Sequence, residues 1–458
     1  MGTEERLPRL FISTKPIINK PNSGVYRHKT YNNMKNYLSK CIATLFATAA
    51  VVACEPGWMP DNPRQGGDAP LVDGIPSDSW AEWNPQVTDP NVSVPNFNYT
   101  VEEVNGHQVI RFNMNGIQNP KDMTKWLRLY GTERVEQRVV VKDGAGTSYP
   151  ITEKTNQNIY ISIDYRPKGI SVINTIDQGS IVNPAVDIVF LVDNSGSMDG
   201  EANAIARDIT EWASNLSKTL DIRFGCVGYG HNVGMEYGYL VNDYGVSGAL
   251  NLTSFEELNQ YLNGRSYSGV DRTVGYYGAD AATLETIAKK NEYSQAGGEC
   301  GIQALRFADE NFNFRKGVNR IYINFTDDAN YTGGNPDISI DYVKNPATWP
   351  AEKGTIHSVI SNDAETIEYR AYTSPGNGEI SWLPSDYTGG TTIYVPSTFA
   401  GVSLDDLPVT EALKNTYIIS MTNVEDLFDG MEHTVWITIY SPDGTIQGEK
   451  EFKVVFTK

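Results

Sequence analysis

The chain has 458 residues and a formal net charge of −19, from 56 acidic and 37 basic side chains. A chain this acidic repels phosphate backbones, which argues against nucleic acid as a partner. Forty per cent hydrophobic and 11% aromatic residues exclude wholesale disorder, and the length allows two or three packed domains.

The first element is a leader. It begins at Met34, with Lys35 and Lys40 as a basic start. Residues 42–53 form an apolar run, too short for a permanent membrane span but suited to the core of a signal peptide. The run ends in "VVAC", and small and aliphatic residues directly before a cysteine resemble the bacterial lipoprotein cleavage box. That resemblance implies that Cys54 becomes the lipidated first residue of the mature protein. The alternative is an ordinary secretory signal with a coincidental cysteine. Glu55 follows, rather than the Asp linked to inner-membrane retention, so the resemblance points to the outer membrane, facing the periplasm or the cell surface. Residues 1–33 fit no leader and read as a mis-called extension, with Met34 as the start. Residues 1–53 hold eight basic and two acidic residues, so their removal leaves a still more acidic chain. No later apolar run reaches spanning length, which leaves the lipid as the only membrane contact.

Residues 54–95 read as a Pro-rich extended tether, with "WAEW" at 80–83 as a segment that docks on the next domain. Residues 96–183 read as strands: "HQVIRFNMN", "RVEQRVVVKDG" and "NIYISIDYR" alternate or cluster β-branched and aromatic residues between turn signals. "KDGAG" at 142–146 has the composition of a hairpin loop. This is an all-β unit of sandwich type.

The pattern changes at Val186. "VDIVFLV" is the nearly continuous apolar run of a strand buried on both faces. A helix follows with Ile205, Ile209, Trp212 and Leu216 on one face and Leu220 extending the stripe. Then come strand "IRFGCVGYG", helices near "SFEELNQYL", "DAATLETIAKK" and "GIQALRFADENF", and strands "RIYINFT", "TIHSVIS" and "TTIYVP". The alternation predicts a doubly wound, mostly parallel α/β domain over 184–414. Residues 415–458 return to β pattern and are too few for a separate sandwich. They are expected to complete the sheets begun before residue 184, with the α/β domain as an insertion.

Four cysteines are too few for a disulfide scaffold, and no CxxC pair suggests zinc. Export would place Cys226 and Cys300 in an oxidising compartment, where they pair or remain two buried thiols; spacing does not choose between these.

Three oxygen-rich pieces are expected to meet at the strand carboxyl ends: "DNSGS" with Asp193, Ser195 and Ser197, "GGECG" with Glu299, and "FTDD" with Asp327. Carboxylates and hydroxyls are hard donors that suit Mg²⁺, Mn²⁺ or Ca²⁺. Neutral hydroxyls leave an ion under-neutralised, so a partner's carboxylate can complete its shell. The bland alternative for "DNSGS" is a helix N-cap. Asp328 is expected outside the ligand set, and the five histidines form no HExxH pattern and read as surface or core residues.

This set resembles the metal-ion-dependent adhesion site of the von Willebrand factor type A domain. "DIVFLVDNSGSM" is close to that family's signature, "GGECGIQAL" lines up with its "GGTxTGxAL", and "SDYTGGTTIYVP" is similar to its last helix-turn-strand. The resemblance covers about half the chain, 184–414. It implies the α/β fold, a divalent cation (Mg²⁺ first, Mn²⁺ or Ca²⁺ as alternatives) and a protein ligand bound through an acidic side chain. Glu299 departs from the family's usual Thr. Integrin β-subunit domains also use Glu there, which implies that Glu299 is a direct or water-mediated ligand. Those subunits carry the domain inserted in a β-sandwich, the same order expected here.

Residues 263–280, "NGRSYSGVDRTVGYYGAD", are rich in Tyr, Ser and Gly, a mix suited to adaptable contacts. Arg265, Tyr267, Arg272, Tyr276 and Tyr277 are the candidate partner contacts; the alternative is a long surface loop. The expected function is therefore lipid-anchored, metal-dependent protein binding or adhesion without catalysis. The other readings are a structural or assembly scaffold with a closed or empty site and, less favoured, a carboxylate-based hydrolase. No GxSxG, HExxH or P-loop motif supports an enzyme.

Overall fold

The computed structural model describes residues 72–458, apart from positions 123, 133, 138–140, 143–147, 150–151, 176–184, 219, 231–243, 264–277, 280–281, 289, 294, 375–376 and 400–401. The leader, Cys54 and the extension 1–33 lie outside the described residues, as do the tip of the hairpin expected at 142–146 and the candidate contacts Arg265, Tyr267, Arg272, Tyr276 and Tyr277.

Alternating apolar and polar residues make strands with one face for a core. In His107–Met114 the side chains of Ile110, Phe112 and Met114 are buried while Arg111 and Asn113 between them stay partly open. One antiparallel sheet has the order Phe97–Val104, His107–Met114, Tyr417–Met421, Ile170–Asn174. A second has the order Gln447–Val454, His433–Tyr440, Ile159–Ile163, Arg166–Pro167. Phe97, Phe112, Ile161, Ile419, Ile437 and Phe452 belong to one core shared by both sheets. Each sheet thus combines strands from before residue 175 with strands from after residue 416. Two short antiparallel pairs, Arg134–Gln137 with Thr152–Thr155 and Val141–Lys142 with Ser148–Tyr149, stand apart from these sheets.

Within the stretch expected to be an extended tether, residues 72–95 lie against the sandwich instead. Lys168 Nζ donates to Asp78 Oδ2 at 2.6 Å, Asn84 Nδ2 to Thr438 Oγ1 at 3.0 Å, and the Thr88 N–H to Gln447 Oε1 at 2.9 Å. These bonds are polar, and Val94 joins the shared core as an isolated apolar residue, so hydrophobic periodicity could not reveal the docking. Trp83 of the "WAEW" segment is exposed.

The Val186–Asp193 strand is buried along its whole length. It pairs in parallel with Ile222–Tyr229 on one side and Asn319–Thr326 on the other. The sheet has six main strands and a two-residue seventh, in the order Gly278–Ala279, Val246–Thr253, Ile222–Tyr229, Val186–Asp193, Asn319–Thr326, Thr355–Ile360, Thr392–Tyr394. Only the pairing of Ile222–Tyr229 with Val246–Thr253 is antiparallel. The chain winds outward from Val186–Asp193 in one direction, then returns and winds outward in the other. The reversal puts a topological switch point at the carboxyl end of that strand. Val246–Thr253 is an addition to the sequence-based expectation. Its "SGAL" stretch is poor in β-branched and aromatic residues, which hides the strand.

Helices cover both faces of the sheet. Ala202–Leu216, Phe255–Asn263 and Pro408–Lys414 share one core with Phe190 and Phe224. Gly301–Asn311, Ala282–Ala288 and Ile340–Lys344 share the opposite core with Leu191 and Tyr322. In the first of these helices Ile205, Ile209, Trp212 and Leu216 are buried, the face its periodicity predicts. Cys226 lies in the first core and Cys300 in the second, and neither is in a disulfide. At the sandwich boundary Asn319 Nδ2 donates to Asn115 Oδ1 at 2.6 Å, and Lys450 Nζ donates to the Tyr387 carbonyl at 2.6 Å.

Candidate metal centre at the strand carboxyl ends

Asp193 closes the central strand and is fully buried. Its Oδ1 accepts the Ser195 N–H at 2.9 Å, and its Oδ2 accepts the Thr326 hydroxyl at 2.7 Å. The first bond bends the chain into a tight turn after the strand. That turn brings the Ser195 and Ser197 hydroxyls within 2.9 Å of each other, and Ser197 Oγ donates to Asp327 Oδ1 at 2.9 Å. Asp327 follows the Asn319–Thr326 strand, the parallel neighbour of Val186–Asp193. The switch point therefore joins residues 130 positions apart in the chain.

Glu299 comes from the turn before the Gly301–Asn311 helix. Its carbonyl accepts the Tyr331 N–H at 2.8 Å, and Asn330 Oδ1 accepts the Gly301 N–H at 2.8 Å. These bonds fix the turn beside the Asp327 segment. Gly230, at the end of the Ile222–Tyr229 strand, lies between Glu299 and Asp193. A Cβ built there would stand 3.0 Å from Asp193 Oδ1 and 3.0 Å from Glu299 Cγ. Gly230 also has a φ of +81°, so both space and backbone favour glycine at this position.

Burial and mutual repulsion define the electrostatics. Burial pushes the Asp193 carboxyl well above the usual carboxylate range, with further upward pressure from Glu299 and Asp327. Burial also raises Asp327, against the hydrogen bond from Ser197, and Asp328 raises it further. Glu299 is raised by burial and by Asp328 and Asp327, with Arg370 acting in the opposite direction. Among the described residues no basic side chain forms an ion pair with Asp193, Glu299 or Asp327. Arg370 Nη1 is bonded to Asp328 Oδ2 at 2.7 Å. Asp328 Oδ1 accepts the Tyr331 hydroxyl at 2.7 Å, so both oxygens of this carboxylate already have partners.

The helix-cap alternative finds little support in the local geometry. Neither the 3-10 turn Gly196–Gly200 nor the Ala202–Leu216 helix receives a side-chain cap. Among the described residues there is no group of three or more His, Cys, Asp or Glu side chains that could hold a metal ion by themselves. A cation here would draw on the Ser195 and Ser197 hydroxyls as well as on carboxylates. That donor set, hard and oxygen-only, fits Mg²⁺, Mn²⁺ or Ca²⁺.

Four residues around the cup were not singled out by sequence reasoning. Thr326 and Arg370 hold carboxylates in place, Tyr331 fixes the Glu299 turn, and Glu201 lies buried behind the loop. Only Thr326 carried a local signal, since it immediately precedes Asp327. No protein-family model matches the chain, and no curated protein matches it.

Proposed function

We propose that the chain is a divalent-cation-dependent protein-binding module, of the von Willebrand factor A type over 184–414. Asp193, Ser195 and Ser197 would hold the ion, with Asp327 and Glu299 around it. The ion would supply a Lewis-acidic position for a carboxylate of the partner. The observation that carries this reading is the cluster of like-charged Asp193, Glu299 and Asp327, with Asp193 and Asp327 buried and Glu299 half-buried, beside two hydroxyls and, among the described residues, without an ion-paired basic side chain. Buried like charges are costly unless a proton or a cation joins them. The lipoprotein-like leader supports anchoring of the module at the bacterial outer membrane through Cys54. No helix among the described residues is long and apolar enough to cross a membrane.

A second reading, a scaffold with a closed or empty site, has its own observation. Ser195, Ser197 and Asp327 already satisfy one another by hydrogen bonds. Calorimetric titration with Mg²⁺, Mn²⁺ and Ca²⁺, repeated on Asp193→Ala and Glu299→Ala, separates the two. Saturable binding that is lost in Asp193→Ala supports the cation-dependent reading. No binding at millimolar ion leaves the scaffold.

A further inference from the structure

Glu201 is a carboxylic acid buried to 1% exposure, four residues past Ser197, and the arrangement above assigns it no role. It is the joint between the serine loop and the helix that follows. Its N–H donates to the Met198 carbonyl at 3.2 Å, and its carbonyl accepts the Ile205 N–H at 2.9 Å. Its side chain makes no cap to that helix and meets Ser361, whose hydroxyl is hydrogen-bonded to Glu201 Oε1. Ser361 follows the Thr355–Ile360 strand, and its N–H donates to the Thr326 carbonyl at 3.0 Å. Thr326 in turn donates to Asp193 Oδ2, and the neighbouring Asn362 Nδ2 donates to the Asp327 carbonyl at 3.0 Å. One side-chain contact thus ties the serine loop to the strand ends that present Asp193 and Asp327.

We propose that Glu201 is a positioning residue for this site, holding residues 195–200 in register with Asp327 through Ser361. The inference rests on the cation-dependent reading of the site. The geometry also specifies how the latch is wired. Ser361 Oγ lies 3.7 Å from Met198 Sδ as well as against Glu201, and a serine has one proton to donate. A protonated Glu201 donates to Ser361 Oγ, which frees the Ser361 proton for Met198, so all three groups are linked. An ionised Glu201 takes the Ser361 proton and leaves the sulfur without it. Burial, opposed by the Ser361 bond and reinforced by Asp327, pushes the Glu201 carboxyl up to about 7. Asp327 is the charged neighbour that acts on it among the described residues.

The test uses the full chain and Mn²⁺ alone as the probe, with Glu201→Ala, Glu201→Gln and Ser361→Ala. Glu201→Ala is expected to weaken Mn²⁺ binding about tenfold or more, the scale of one lost hydrogen bond to an ionisable group. Glu201→Gln keeps the bonding geometry and is expected to stay within about threefold of the parent. Ser361→Ala, which leaves the fold's volumes nearly intact, should lose affinity in the same direction. A Glu201→Ala affinity equal to the parent's overturns the proposal. A Glu201→Gln loss as large as that of Glu201→Ala overturns it too, because charge and not positioning would then be at work. A second readout needs no metal. A group raised from 4.5 to about 7 on folding contributes stability that is fully present below 4.5 and lost as pH rises through about 7. The difference in melting temperature between parent and Glu201→Gln should therefore change between pH 4.5 and 8. If the parent binds no Mn²⁺, the cation reading fails. A pH-dependent difference would still reveal the latch, and a flat one would overturn it as well.

Discussion

His433 Nδ1 lies 2.7 Å from Asp164 Oδ2, joining residues 269 positions apart at one end of the sandwich. The other ring nitrogen, Nε2, lies 3.1 Å from Asp429 Oδ1. A neutral imidazole has one N–H, so only the protonated ring can donate to both carboxylates. Burial lowers the His433 pKa, but the Asp164 and Asp429 contacts outweigh it and leave the value above 6.5. Its contribution to stability is therefore fully present below pH 6.5 and is lost as pH rises through the folded value. Asp164 moves the opposite way. Burial opposes the shift, but bonds from His433 and the Thr434 N–H bring its pKa below 3.8. Its contribution is present above pH 3.8 and is lost as pH falls. Melting curves should show His433→Gln destabilised by about 1–3 kcal/mol at pH 5.5. The gap should narrow by pH 9, and an equal gap at both pH values would count against the protonated clamp.

Asp193→Asn should separate the electrostatic cost of the cup from its use. Without added metal the neutral amide removes repulsion with Glu299 and Asp327 while keeping a polar side chain beside Ser195 and Thr326. The melting temperature at pH 7.5 is expected to rise, because a buried carboxylate beside like charges is costly to keep ionised. If the site binds Mg²⁺ as proposed, adding the ion at one hundred times its dissociation constant should stabilise the parent by about 2.7 kcal/mol and leave Asp193→Asn unmoved. A variant less stable than the metal-free parent would show that the carboxylate is well satisfied as it stands.

The parts of this site that were legible in the sequence are local. Asp193, Ser195 and Ser197 follow an unbroken apolar strand, and Asp327 follows another, so strand ends and oxygen donors could be read together. The amphipathic helix after the loop was equally plain, since Ile205, Ile209, Trp212 and Leu216 recur with helical period and are buried. What escaped depends on contacts remote in sequence. Glu201 meets Ser361 across 160 positions, and Arg370 meets Asp328 across 42. Neither pair has a spacing rule. The Val246–Thr253 strand escaped because glycine, alanine and serine fit a sheet here without announcing it. Docking was expected only for the segment at 80–83; the rest of residues 72–95 escaped because much of the contact there is made by polar side chains such as those of Asp78 and Asn91, with Val94 as an isolated apolar anchor.

Arg315 offers a test of the opposite end of the central strand. Asp187 is fully buried and takes two bonds from Arg315: Nε to Oδ1 at 2.7 Å and the backbone N–H to Oδ2 at 2.8 Å. The same guanidinium reaches Asp221 Oδ1 at 2.9 Å and the Val186 carbonyl at 2.9 Å. Removing one partner of a buried pair leaves the other charge uncompensated, which costs about 3–5 kcal/mol. Arg315→Ala should lower unfolding stability by that amount in a urea titration. Arg315→Lys should recover only part of it, since an ammonium cannot reproduce the fork. A loss below about 1 kcal/mol would show that water already shares the Asp187 site.

The two thiols of the α/β sheet make the last prediction. Cys226 and Cys300 are buried on opposite faces of the sheet, so the strands themselves stand between their side chains. A disulfide needs Cβ atoms about 3.5–4.5 Å apart with converging vectors, a geometry that two faces of one sheet do not offer. Burial pushes the Cys300 thiol up to about 12, against two backbone hydrogen bonds that lower it. The thiolate is the reactive form, so Cys300 should be inert at neutral pH. Alkylation of the native chain followed by peptide mass mapping should leave both positions unmodified, and unfolding in guanidinium should expose both. Non-reducing and reducing maps of the 226 and 300 peptides should be identical. A linked pair would mean that the sheet packs differently around these strands, and rapid native labelling of Cys300 would mean that the Gly301–Asn311 helix lifts from the sheet.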